Sequence, residues 1–194
     1  MLTQADFIEA AKELEVEVAT IKAVVEVESG GTGFWNNGEL VILFEPHKFY
    51  AALEKKGKKP DKLLEGDPSL KDILYKTWKT LPYPKPSLRW AQIQKASTID
   101  VEAAYDSASY GLFQILGQNA KSLGYKNSIE MVQEFKKGEP EQLKGFIRFV
   151  KANKLSKYLK NKDFAGFALR YNGKLYKVNK YDEKLQKAYE KYSK

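Results

Sequence analysis

Ile21-Lys-Ala-Val-Val-Glu-Val-Glu-Ser-Gly-Gly31 and Leu40-Val-Ile-Leu-Phe-Glu-Pro46 decide the fold of this 194-residue chain between them. The first stretch closes a helix. Ile21, Val24, Val25 and Glu28 fall at i, i+3, i+4 and i+7, one stripe of a 3.6-residue repeat, and Gly30-Gly31 stops it. The second is a five-residue apolar run ended by proline, the best strand candidate in the chain. Working outward, Thr3-Gln-Ala-Asp6 reads as a capping box opening a first helix over 4–14. A second helix runs over 18–29, then a loop over 32–38 displays Phe34 and Trp35. Pro46 opens a helix over 47–56. Residues 57–68, rich in Lys, Gly and Pro, read as a surface loop, and a short helix near 69–79 follows. Leu81-Pro-Tyr-Pro-Lys-Pro86 reads as a rigid turn or polyproline stretch. The rest predicts helices over 88–104, 111–122, 128–136, 140–153, 163–171 and 180–192. The expected fold is mainly α, one domain over 1–194 with a single small strand or hairpin region after the second helix.

Composition narrows the chemistry. A hydrophobic share of 43% supports a sizeable core and rules out wholesale disorder. There is no cysteine, so no disulfide framework, thiol nucleophile or Cys-ligated zinc. His47 is the only histidine, which excludes a multi-His metal site; no metal or cofactor is expected. No apolar run is long enough to span a membrane, and the first ten residues lack the charged and apolar regions of a secretory signal. No phosphate-binding, dinucleotide-binding or hydrolase-elbow motif occurs. The net charge of +8 is unevenly placed: residues 144–194 carry 15 Lys and Arg against 4 Asp and Glu, which leaves the first 143 residues at −3. Thirty lysines and three arginines (Arg89, Arg148, Arg170) suit diffuse attraction to a polyanion more than bidentate phosphate reading. A plain solvated surface accounts for the same composition.

Four constellations bear on function. Glu28 shares the stripe of Ile21 and Val24, at the negative end of its helix, whereas Glu26 is expected to pair with Lys22 on the solvated side. Burial and the dipole would both raise the Glu28 pKa, as a general acid requires. The other reading is an ordinary helix-end glutamate turned outward. Glu45 ends the apolar strand 17 residues later, either a surface charge or the second carboxylate of a pair flanking a cleft, the minimum for glycoside hydrolysis. Ser107-Ala-Ser-Tyr-Gly-Leu-Phe-Gln-Ile115 reads as a small-residue turn into a helix start. There Gly111 permits close approach and Gln114 offers an amide to sugar hydroxyls and N-acetyl groups. Phe167-Ala-Leu-Arg-Tyr-Asn-Gly173 ends a helix at a glycine cap, with Tyr171 and Asn172 either packed or set at a cleft rim. His47 reads as structural or as a rim contact.

In order, Glu28-Ser29-Gly30, Gly111-Leu-Phe-Gln114 and Tyr171-Asn172-Gly173 resemble the three-motif layout of the lysozyme-like superfamily, shared by goose-type lysozymes and soluble lytic transglycosylases. Val24–Gly31, Ile42-Leu-Phe-Glu-Pro-His-Lys-Phe49, Ser107–Gly117 and Phe167–Gly173 are more closely similar to the N-acetylmuramidase domain family of tailed-phage endolysins and prophages. The resemblance runs from about residue 5 to about residue 192. Pro46, Leu116 and Lys174-Leu175 depart from the family's pattern. Pro46 bears on where Glu45 points.

The resemblance implies an α+β lysozyme-like fold and hydrolysis of the β-1,4 bond from N-acetylmuramic acid to N-acetylglucosamine in peptidoglycan. It makes Glu28 the general acid and Glu45 the second acidic position, and implies that Gln114, Tyr171, Asn172, Ser109, Tyr110, Phe44 and His47 line the glycan cleft, with Ser107 in the polar turn before the glycine. A lytic transglycosylase, needing one glutamate and giving 1,6-anhydro products, is the alternative on the same fold. A non-catalytic envelope- or nucleic-acid-binding module is the alternative outside it. Nucleic acid is not expected as a partner, because no recognition signature is present. The further expectations are a monomeric, bacteriolytic, antimicrobial single-module endolysin with no separate wall-binding module. It would be made in the host cytoplasm and released through a holin-type pore. Helix 180–192 either docks on the core or, with residues 144–194, engages anionic lipid or lipopolysaccharide.

Overall fold

The computed structural model describes residues 1–29, 31–77 and 84–194. Helix α1 (Gln4–Leu14) begins at the expected capping box, in which the Thr3 hydroxyl accepts from the Asp6 N–H and the Asp6 carboxylate accepts from the Thr3 N–H. Helix α2 (Val18–Glu28) buries Ile21, Ala23 and Val24 and ends with its last residue, Glu28; the expected stop at Gly30 lies outside the described residues. A loop turns back on itself, with Phe34 bridged to Leu40 and the Val41 N–H donating to Gly33. It leads into β1 (Ile42–Phe44), and α3 (Pro46–Lys55) starts immediately after, with proline at its first position, where a missing N–H costs nothing.

Residues 57–68 are not all loop. Pro60 starts a short helix, α4 (Pro60–Gly66), and is itself buried. Of the helix expected near 69–79, the described residues form a 3-10 turn over Pro68–Asp72, and 78–79 lie outside them. Residues 81–83 of the proline-rich stretch lie outside the described residues. The long helix expected over 88–104 is two, α5 (Pro86–Ser97) and α6 (Val101–Asp106), divided where the Asp100 carboxylate caps the second by accepting from Ala103.

The largest correction is at 107–117. Instead of a helix start, the chain forms β2 (Ala108–Tyr110), a four-residue turn and β3 (Ile115–Leu116), then a 3-10 turn over Gly117–Leu123. The sheet order is β1-β2-β3, antiparallel throughout, with Ile42 opposite Tyr110, Phe44 opposite Ala108 and Ser109 opposite Leu116. The turn cannot be helical, because Gly111 (φ 71°) and Gln114 (φ 48°) both adopt the left-handed conformation. For Gln114 that conformation is uncommon and is held by its surroundings.

Helices α7 (Ser128–Phe135), α8 (Glu139–Ala152), α10 (Phe164–Tyr171) and α11 (Tyr181–Tyr192) fall where the periodicity predicts them, and α9 (Ser156–Lys160) is an unforeseen short turn between. Helix α11 docks across α2 and α10, burying Leu185 and Ala188. Its charges dock too: Lys191 and the Tyr192 hydroxyl both reach Glu26, and Tyr189 donates to Glu17 at 2.6 Å. Glu26 therefore takes α11 rather than the expected Lys22, whose ammonium lies over the Phe7 and Tyr192 rings. Lys151 and Lys162 likewise pair with Glu13 and Glu17. Part of the charge asymmetry is thus internal complementarity between the acidic first helices and the basic last ones. Each such exposed pair contributes only about 0.2–1 kcal/mol, so the buried face of α11 does most of the holding.

Candidate active site

Glu28 occupies the position its stripe predicts. It is half-buried at the end of α2, and its Oε1 accepts a 3.0 Å hydrogen bond from the Asn172 amide. Burial pushes its carboxyl up to about 7, against the opposing pull of that hydrogen bond and of the Lys184 charge. The group is therefore poised to hold a proton near neutral pH and release it when a base of comparable strength forms. Asn172 is placed by the end of α10: it caps the helix, its N–H donating to Ala168, and Gly173 (φ 78°) turns the chain away behind it.

Tyr171 stacks on Phe167 with ring centroids 5.4 Å apart and meets Phe146 and Phe149 edge-on. Burial and the neighbouring Glu28 charge hold its phenol protonated, and it donates to the Phe113 carbonyl at 3.3 Å. That bond ties α10 to the 111–114 turn, and Phe113 adds a stacked contact with Phe146 at 4.4 Å. Tyr171 is thus a brace within an aromatic cluster more than a bare rim platform. The turn carries Gln114, whose amide nitrogen donates to Gly111 at 2.8 Å.

Gln142 on α8 was missed by the sequence reading. It is 1% exposed, its Oε1 accepts from the Leu112 N–H at 2.7 Å and its Nε2 donates to Phe135 at 3.0 Å. A Cβ at Gly111 would lie 2.7 Å from Gln142 Oε1, and one at Gly33 only 2.1 Å, so both glycines exist to let the backbone close on this amide. The signal was present: Gln142 lies four residues before Phe146 and eight before Val150, a polar residue on an apolar stripe. Lys184 was missed as well, because its relation to Glu28 depends on how α11 docks.

Glu45 is built differently. It is the residue before α3, yet its side chain makes no capping bond. Its N–H donates to Ser107 at 2.9 Å, and its Oε2 lies 3.6 Å from His47 Nε2. It sits at the Ser107 end of the β1–β2 ladder, and the turn that packs beside Tyr171 sits at the other end. Two of the expected cleft residues turn inward. Tyr110 is fully buried and donates to the Tyr105 carbonyl, and Phe44, 1% exposed, packs against Phe49 in the core. Alternation along two paired strands sends both inward, on the face opposite Ser109 and Leu43. Ser109 is 8% exposed, and Ser107 spends its hydroxyl on the Ala103 carbonyl. Among the described residues no group of three or more His, Asp or Glu is arranged to hold a metal ion.

A mostly helical domain with a small antiparallel sheet, and a half-buried glutamate closing the second helix, form the arrangement expected of a lysozyme-type glycoside hydrolase. A model of the N-acetylmuramidase family matches residues 17–193, and the chain belongs to that family. Its structure is similar to the crystal structure of the endolysin of Burkholderia phage AP3, with a TM-score of 0.90 and 39% sequence identity over 99% of this chain and 71% of that one. No curated protein matches the chain. The enzyme is accordingly a muramidase acting on peptidoglycan. No helix among the described residues is long and apolar enough to cross a membrane.

Proposed function

We propose that Glu28 is the general acid of this muramidase and Glu45 its second carboxylate. Glu28 gives its proton to the glycosidic oxygen as the bond from C1 of N-acetylmuramic acid to N-acetylglucosamine breaks. Water adds to C1 and gives up a proton, to Glu45 where that carboxylate activates it, or back to the Glu28 carboxylate where Glu45 stabilises the oxocarbenium-like centre. Asn172 keeps the Glu28 carboxyl aimed at the cleft, and Gln114, Ser109 and His47 contact the glycan. The carrying observation is the setting of Glu28: a helix-end carboxyl with one amide donor and a pKa about 7.

The likeness to a phage endolysin supports the same role here: lysis of a bacterium from within, with the wall as target and a holin-type pore as the route to it. In this reading residues 1–194 work as one catalytic domain and as a monomer. Lysines of 144–194 not used internally face the anionic envelope, lipid or lipopolysaccharide.

Digestion of purified peptidoglycan by wild type and Glu28→Gln, read by mass spectrometry of the muropeptides, is the test. Hydrated reducing-end N-acetylmuramic acid, lost in the variant, is the expected result. 1,6-Anhydro products would overturn the hydrolytic reading in favour of a transglycosylase. Product from the variant would remove Glu28 from its role.

A further inference from the structure

We propose that the groove between α3 and α6 holds the peptide stem of the substrate, the short peptide hanging from the lactyl group of N-acetylmuramic acid; this rests on the peptidoglycan reading above. The groove encloses about 450 Å³, within the usual range of ligand clefts. His47, Lys48, Lys55, Asp106, Ser107 and Gln118 line it, and Ala51 and Ala52 leave its floor open. It departs from the Glu45 end of the site, because His47 lies 3.6 Å from the Glu45 carboxylate and the Ser107 carbonyl accepts the Glu45 N–H.

Its charges do not match sugar. The glycan rings of peptidoglycan are uncharged, and the lactyl carboxyl is consumed in the amide link to the stem. The stem carries the charges: free carboxylates along its length and, on its diamino acid, an ammonium group. The groove offers the complement. Lys56 is neutralised at its far end by Asp100 and Glu102, at 2.8 and 2.9 Å. Among the described residues Lys48 and Lys55 have no acidic partner, and Asp106, at the end of α6, has no basic one. Two cations on one wall and a carboxylate on the other suit a ligand bearing both signs. Contacts to the stem would place the muramic acid, and with it the scissile bond, in register with Glu45 and Glu28.

The test uses the whole protein, with Lys48→Ala/Lys55→Ala and Asp106→Asn as variants; all three side chains are at least partly exposed, so folding is preserved. Each is assayed on stem-bearing peptidoglycan and on the same glycan stripped of stems by an amidase, with the lactyl carboxyls so freed converted to methylamides. A soluble tetrapeptide stem is titrated alongside by NMR. The double variant should raise KM about five-fold on the stem-bearing substrate, leave the stripped glycan unchanged and abolish tetrapeptide binding. Asp106→Asn should weaken binding of the tetrapeptide only while its side-chain amine is unacetylated. Equal losses on both substrates, or a wild type that does not bind the tetrapeptide, would overturn the proposal. A wild type that cleaves neither substrate would count against the muramidase reading instead, and the titration would still decide this one.

Discussion

Glu28 and Glu45 are the same side chain in opposite settings. Glu28 ends a helix, is half-buried, and has one amide for company, so burial lifts its pKa to about 7. Glu45 follows a strand, with an imidazole 3.6 Å away that itself lines the lysine-bearing groove. The contrast shows how one residue type is divided between tasks. Removing water makes an acid of Glu28 even against the pull of the Lys184 charge, whereas Glu45 is set beside the polar groups of His47 and Ser107. The two also depend on different parts of the chain, Glu28 on α10 and α11 and Glu45 on the β1–β2 ladder.

The comparison is broken most directly at Glu28. Glu28→Gln should lower kcat by about 10³- to 10⁴-fold with little change in KM, measured by muropeptide release. Glu45→Gln should cost less, about 10²-fold, because the charge it supplies is one contribution among several. Equal losses would make the two carboxylates a unit and erase the distinction drawn here. The turn between the two settings is tested by Gln142→Ala, which leaves the Leu112 N–H buried without a partner and the Phe135 carbonyl with only its 3.4 Å bond from Gly138. A loss of about 2–4 kcal/mol in urea unfolding is expected. Replacing Asn172 by Ala sharpens the picture more gently. It removes a hydrogen bond that favours the charged form of Glu28, so the basic limb of the pH–kcat/KM profile, near pH 7 in wild type, should move to higher pH.

The smallest effect is on stability. The folded pKa of Glu28 is about 7 against an unfolded value of 4.5, so the folded state holds the extra proton between them. The stabilising contribution is full below pH 4.5 and is lost as pH rises through 7. Glu28→Gln should therefore be more stable than wild type at pH 8, by at most about 3 kcal/mol and less where solvent reaches the carboxyl, and nearly indistinguishable at pH 4. Thermal unfolding at the two pH values measures the difference.

What was legible in the sequence is what short spans determine. The capping box of α1, the stripe that turns Glu28 inward and the glycine behind Asn172 each depend on neighbours within a turn or two, and the structure has them where they were read. The 107–117 hairpin was misread because its partners are remote. Tyr110 is held opposite Ile42, and Leu112 by Gln142, so tertiary pairing overrides the local helical pattern. The same pairing explains why Tyr110 and Phe44, plausible sugar contacts in a linear reading, are spent on the core. Lys184 acts on Glu28 across most of the chain's length, a relation no local pattern encodes.

Helix α11 carries a consequence for the order of events during synthesis. Its contacts close on α2 from more than 160 residues away, at Glu17 and Glu26. A chain that has not yet been made through Tyr192 leaves Glu17 and Glu26 without the Tyr189, Lys191 and Tyr192 groups that hold them. The helix that closes with Glu28 therefore gains these partners only once residues 181–192 have been made, late in the course of synthesis.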